Sequence, residues 1–157
     1  VAAVCALSGV AVAVRSVELA PNFMFWGMPY WKFLLPMLVE MAVFSVFVIT
    51  GYTNRRRPYR HRAMMILSGL AILAGATARI RALQPVFGDS GWTGLFGPIL
   101  LLGLIGVVIQ MLVSRKPDWW LAGGLAFMAV SYIGADLLAD TSAWRWIARD
   151  LLGITIS

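Results

Sequence analysis

Residues 55–62 read RRRPYRHR, and an apolar run from Ala63 to Ala78 follows them directly and ends at Arg79 and Arg81. Arginine binds anionic headgroups at a membrane surface, whereas apolar side chains prefer the bilayer interior. A dense cationic segment joined to an apolar helix is therefore typical of a membrane boundary. This stretch predicts a membrane-spanning helix and an orientation for the whole chain.

The composition of the chain extends this interpretation to its full length. Of the 157 residues, 61% are hydrophobic and 13% are charged, and the mean hydropathy is +0.82. A soluble domain has about a quarter of its residues charged. The chain is therefore predicted to be an integral membrane protein, and its net charge of +6 indicates a bilayer with anionic headgroups as its partner, not a nucleic acid.

The apolar segments predict an all-α fold, a polytopic bundle in one domain covering residues 1–157. A span needs about 20 residues, so the first apolar segment is interpreted as the visible part of a truncated helix. The C-terminal segment places Trp144, Ile147, Ala148 and Leu151 on one side of a helix and Arg145 and Arg149 elsewhere, which is typical of a helix lying in the membrane interface. The predicted spans are 1–14, 31–52, 60–83, 95–113 and 119–138, and the interfacial helix is 141–152.

The basic residues predict the orientation of the bundle. The loop that holds the cluster at 55–62 and the turn with Arg115 and Lys116 fall on the same side if the helices alternate. The positive-inside rule makes that side cytoplasmic. The segments 21–30 and 86–91 are then expected outside, and the protein is expected in a bacterial inner membrane.

Among the ionisable residues of the predicted spans, we single out Glu40, Arg79 and Asp136 as candidates for an intramembrane cluster. At 1.5 Å per residue, Arg79 and Asp136 reach similar depths near the outer edge of the hydrocarbon core. Charges at such depths need partners, so we expect an Arg79–Asp136 pair that Glu40 and Tyr132 join. This polar cluster is interpreted first as a packing device, then as a pocket for a headgroup or quinone, and last as a proton path.

The basic loop contains the chain's only histidine, in the set Arg55, Arg56, Arg57, Arg60, His61 and Arg62. Ligation of haem or a pigment by His61 is the minor alternative, because a b-type haem between helices needs two axial ligands. No metal-ligand spacing, phosphate-binding loop or nucleophile motif is present in the sequence. The sequence therefore predicts no cofactor, no metal and no catalytic residue.

The basic stretch, the helix start His61-Arg62-Ala63-Met64 and the helix end Ala78-Arg79 resemble a family of small uncharacterised bacterial inner-membrane proteins. The Pro-containing turn after Arg115 and the Trp-rich segment 143–152 are similar to that family as well. The family usually has a further helix and a second His-Arg motif upstream, and this chain has neither. The resemblance implies a multi-helix membrane fold but no activity.

The leading functional hypothesis is a non-catalytic accessory subunit of a respiratory or photosynthetic membrane complex. It depends on the lack of a catalytic motif and on small residues that permit close contact between helices: Gly69, Gly75, Gly103, Gly106, Gly123 and Gly124. The alternatives are a redox or ligand-binding protein related to b-type cytochromes, or one that binds quinone or lipid, and third a small transporter.

Overall fold

The computed structural model describes residues 2–19, 24–25, 28–77, 80 and 91–151. Most of these residues are helical, and the only strands among them are one pair of two residues each, so the all-α prediction is confirmed. In chain order the elements are α1 (Ala2–Leu19), β1 (Met24–Phe25), β2 (Met28–Pro29), α2 (Tyr30–Thr53), α3 (Pro58–Ile72), α4 (Ala74–Thr77), α5 (Gly91–Ser114), α6 (Trp119–Ala139), α7 (Ser142–Trp146) and a π-helical turn (Ile147–Leu151).

Three helices in the described part of the chain are long and apolar enough to cross a membrane. They are α2, residues 93–114 of α5, and α6. Each has at least 20 residues, which at 1.5 Å per residue covers a hydrocarbon core of about 30 Å. The sequence predicted five spans, and the structure supports these three as candidates.

The predicted third span, 60–83, is interrupted at Leu73. The amide of Leu73 donates to the carbonyl of Leu70, three residues back, at 3.1 Å, and α4 then begins at Ala74. The Thr77 hydroxyl donates to the carbonyls of Leu73 and Ala74 and so satisfies carbonyl oxygens at the break. Of residues 78–83, only Ile80 lies within the described part of the chain.

The start of α5 also differs from the expected one. The predicted span begins at residue 95, but α5 begins at Gly91, and Pro98 lies inside it. Proline has no amide hydrogen, so Pro98 removes one helical hydrogen bond.

The core forms where α2, α3, α5 and α6 meet. Leu67, Phe96, Met128 and Tyr132 are buried there, and the rings of Phe47 and Phe127 meet edge to face at 6.0 Å. Two of the predicted small residues serve this packing. A side chain at Gly124 would collide with Leu67, and one at Gly103 would collide with Leu125 and Leu70. These two glycines let neighbouring helices approach closely.

A second cluster lies at the opposite end of the bundle from the arginine loop. It joins Ala13 of α1, Leu34 of α2 and Ala139 of α6 to Trp144 and Ala148. The indole nitrogen of Trp144 donates to the carbonyl of Trp31 at 3.2 Å. The segment predicted as an interfacial helix, 141–152, is thus a short helix and a π-helical turn docked on the bundle through Trp144. We call this the tryptophan end.

Candidate functional site

A buried polar pair lies inside the bundle, made of Glu40 on α2 and Tyr132 on α6. Glu40 is 7% exposed and Tyr132 is fully buried. The Tyr132 ring stacks on Phe96 with centroids 4.0 Å apart, and its hydroxyl has no hydrogen-bond partner among the described residues. Glu40 and Tyr132 are thus both buried on two helices that pack against each other, and the polar cluster that we expected around them stays a prediction.

Asp136, the third member of the predicted cluster, lies one turn after Tyr132 on α6. Asp140 follows it by one further turn and is the C-cap of the same helix. The ammonium of Lys32 and the carboxylate of Asp140 form an ion pair at 2.6 Å. Arg79 lies outside the described residues, so the Arg79–Asp136 pair remains a prediction.

The sequence analysis missed the Lys32–Asp140 pair, although a signal for it was present. Lys32 is the third residue of α2, and Asp140 is the C-cap of α6. Both therefore lie at the tryptophan end of the bundle. A comparison of opposite charges at matching helix ends would have found this pair, whereas we considered partners only among Glu40, Arg79 and Asp136.

The predicted basic loop forms the other end of the bundle, which we call the arginine end. The His61 ring donates through Nδ1 to the carbonyl of Gly51 at 2.8 Å. The carbonyls in the last turn of a helix lack partners within the helix, so His61 satisfies one of them near the end of α2. This bond ties α3 to α2 across the loop and gives His61 a structural role.

Asp118 is the acidic partner of the arginine end. Its carboxylate accepts from the amides of Trp120 and Leu121 at 3.1 and 3.0 Å and so caps α6. The same carboxylate lies 3.7 Å from the guanidinium of Arg62, and its side chain is only 2% exposed. Desolvation, with further contributions from a hydrogen bond to Asp118 and its charge, raises the pKa of Tyr59 above its usual value, while Arg62 opposes the shift.

The remaining arginines of the loop contact aromatic rings or water. The Arg60 guanidinium lies over the Trp120 ring at 4.4 Å, and that of Arg55 over Tyr52 at 4.9 Å. Arg56 and Arg57 are exposed. Cation–π contacts at exposed sites contribute about 0.5–1 kcal/mol each. Cation–π contacts with aromatic rings therefore hold Arg55 and Arg60 in place. Most of the positive charge at the arginine end is not neutralised by carboxylates of the described residues.

Within the described part of the chain, no group of three or more His, Cys, Asp or Glu side chains is arranged to hold a metal ion. No protein-family model, curated protein or solved structure matches this chain. The family resemblance drawn from the basic stretch therefore remains an expectation. The candidate sites are the Glu40–Tyr132 pair and the arginine end.

Proposed function

We propose that this protein is a non-catalytic subunit that packs laterally against other membrane proteins, in a respiratory or photosynthetic assembly of a bacterial inner membrane. The observation that carries the proposal is the surface of α5. This helix is the most apolar of the three candidate spans, and less of it is buried than of α2 or α6. Its exposed face needs apolar neighbours, which lipid or another protein supplies.

Open glycines favour protein as that neighbour. At Gly106 on α5 and Gly69 on α3, an added Cβ would have no neighbouring side chain of the described residues within 4 Å, and both positions are exposed. Small residues on a lipid-facing surface allow another helix to approach closely, and this packing drives helix association in membranes. Gly103 and Gly124, by contrast, are used within the bundle.

Blue-native electrophoresis after extraction in a mild detergent tests this proposal. We expect the wild-type chain to migrate with a partner, and Gly106→Leu to release it without lowering the chain's melting temperature. Val108→Leu, on the exposed face of the same helix, is the matched control and should retain the partner. Migration as a lone monomer under every mild condition would contradict the proposal.

A second candidate function is the binding of a small ligand such as a quinone or haem, favoured by the buried Glu40 and Tyr132. A buried hydroxyl without a partner costs about 1–3 kcal/mol, and a ligand oxygen would satisfy it. Absorption spectra and mass spectrometry of extracts from the purified chain test this function. We expect a bound chromophore or quinone that Tyr132→Phe weakens, and an extract that contains neither would exclude it.

A further inference from the structure

An apolar groove opens between α2, α3 and α6 at the arginine end. Its volume is about 490 Å³. From Trp119 to Phe127, which both line it, the groove extends about 12 Å along α6 at 1.5 Å per residue. That length fits within one leaflet of a hydrocarbon core about 30 Å thick. Every lining residue except Thr50 is apolar or aromatic. The full lining is Val46, Phe47, Thr50, Met64, Trp119, Trp120, Gly123, Gly124 and Phe127.

The groove owes its space to Gly123. An added side chain at Gly123 would meet no atom within contact distance, whereas Leu67 covers the neighbouring Gly124. Trp119, Phe127 and Val46 are exposed along the groove. The chain thus leaves an elongated apolar channel open on its side, which suits a flexible hydrocarbon chain.

One cation lies at the mouth of this groove. Arg60 precedes the groove residue Met64 by one helical turn and therefore shares its face, and its guanidinium lies over the ring of Trp120, another groove residue. Stacking occupies only the face of the guanidinium, so its N–H groups remain able to donate in the plane. Arg62, in contrast, lies beside the carboxylate of Asp118.

From this juxtaposition of groove and cation, we infer that the protein binds an anionic phospholipid, with an acyl chain in the groove and the phosphate on Arg60. A guanidinium binds phosphate oxygens through two parallel hydrogen bonds. A zwitterionic lipid carries an ammonium group as well, which the exposed neighbours Arg55, Arg56 and Arg57 repel. Charge complementarity therefore selects an anionic lipid over a zwitterionic one. This lipid site is an addition to the lateral packing proposed above.

Native mass spectrometry of the full chain, released from mild detergent, tests the site. The probes are phosphatidylglycerol and phosphatidylcholine with identical acyl chains. We expect phosphatidylglycerol to bind about tenfold more tightly, and Arg60→Gln to remove about that factor, which is the scale of a charge-assisted hydrogen bond. Gly123→Leu, which fills the groove, should weaken the binding of both lipids.

Two matched controls separate this site from general attraction to a basic surface. Arg56→Gln removes an exposed cation of the same loop. Gly134→Leu adds the same side chain at another open glycine of α6, which lies about 16 Å away on nearly the same helix face. Both should leave phosphatidylglycerol affinity within about twofold of wild type, because exposed charges contribute little individually.

Equal retention of the two lipids would overturn the inference, as would an equal loss in Arg56→Gln and Arg60→Gln. The inference would also be overturned if Gly123→Leu released a quinone or a protein partner but still bound phosphatidylglycerol as tightly as the wild-type chain. If Gly123→Leu does not fold, the comparison of the two arginine variants still decides, since both positions are at the surface of the bundle.

Discussion

The two ends of the bundle use charge differently. At the tryptophan end, the ammonium of Lys32 is paired with Asp140 at 2.6 Å, and Trp144 docks the last helix through a hydrogen bond. At the arginine end, Asp118 already caps α6 and lies beside Arg62, while Arg55 and Arg60 lie over aromatic rings. Among the described residues, the tryptophan end is nearly balanced in charge and closed by packing, whereas the arginine end keeps a surplus of positive charge.

We expect the two ends to face opposite sides of the membrane. A surplus of arginine suits anionic headgroups, and the positive-inside rule predicts that this end faces the cytoplasm. The tryptophan end is then expected on the outer side.

The largest expected effect is all-or-none labelling from opposite sides of the membrane. In a Cys5→Ser background, Arg57→Cys should react with an impermeant thiol reagent only from the cytoplasmic side, and Trp146→Cys only from the outside. Arg57 and Trp146 are exposed at opposite ends of the bundle. Labelling of both cysteines from one side would mean that the two ends do not face opposite compartments.

Removing Trp144 should cause the largest loss of stability. Trp144 is 6% exposed and packs against Leu34 and Ala139. Replacement of a buried tryptophan by alanine costs about 3 kcal/mol or more, and Trp144→Ala should lower the free energy of unfolding, measured by denaturant titration in detergent, by about that amount. Trp146→Ala, at an exposed position of the same helix, is the control and should cost far less.

The arginine end should show a smaller loss on removal of Asp118. Asp118→Ala leaves two amides of α6 without their acceptor and Arg62 without its acidic neighbour, and loss of an N-cap costs about 0.5–2 kcal/mol. We expect a decrease of about that size in the same unfolding experiment. Asp118→Asn keeps a capping oxygen and should retain most of the stability. Equal losses in the two variants would show that the charge, not the cap, matters.

The smallest effect is expected from the Lys32–Asp140 pair. The Asp140 side chain is 66% exposed, so solvent screens the pair and its coupling should be about 0.2–1 kcal/mol. A double-mutant cycle with Lys32→Gln and Asp140→Asn measures this coupling, which added salt should reduce. A coupling of zero at low salt would show that the tryptophan end does not depend on this ion pair.

Much of the architecture follows from the sequence because hydropathy and charge act locally along the chain. Twenty apolar residues prefer a bilayer wherever they pack, and α2, observed as Tyr30–Thr53, was expected at 31–52. The break at Leu73 was not predicted, since no proline marks it, the apolar pattern continues through it, and Gly75 was interpreted as a packing residue. Of the predicted polar cluster, Glu40 and Tyr132 are each buried in the bundle, and the cluster itself stays a prediction.

The sequence by itself thus determined the membrane class, the approximate helices and the end that carries the arginines. Only the tertiary structure decided which side chains meet. His61 and Gly51, Arg60 and Trp120, and Lys32 and Asp140 are brought together by the rotation and the relative height of whole helices. Those two quantities depend on packing between helices, such as the fit of Leu67 against Gly124, which no local stretch of sequence contains.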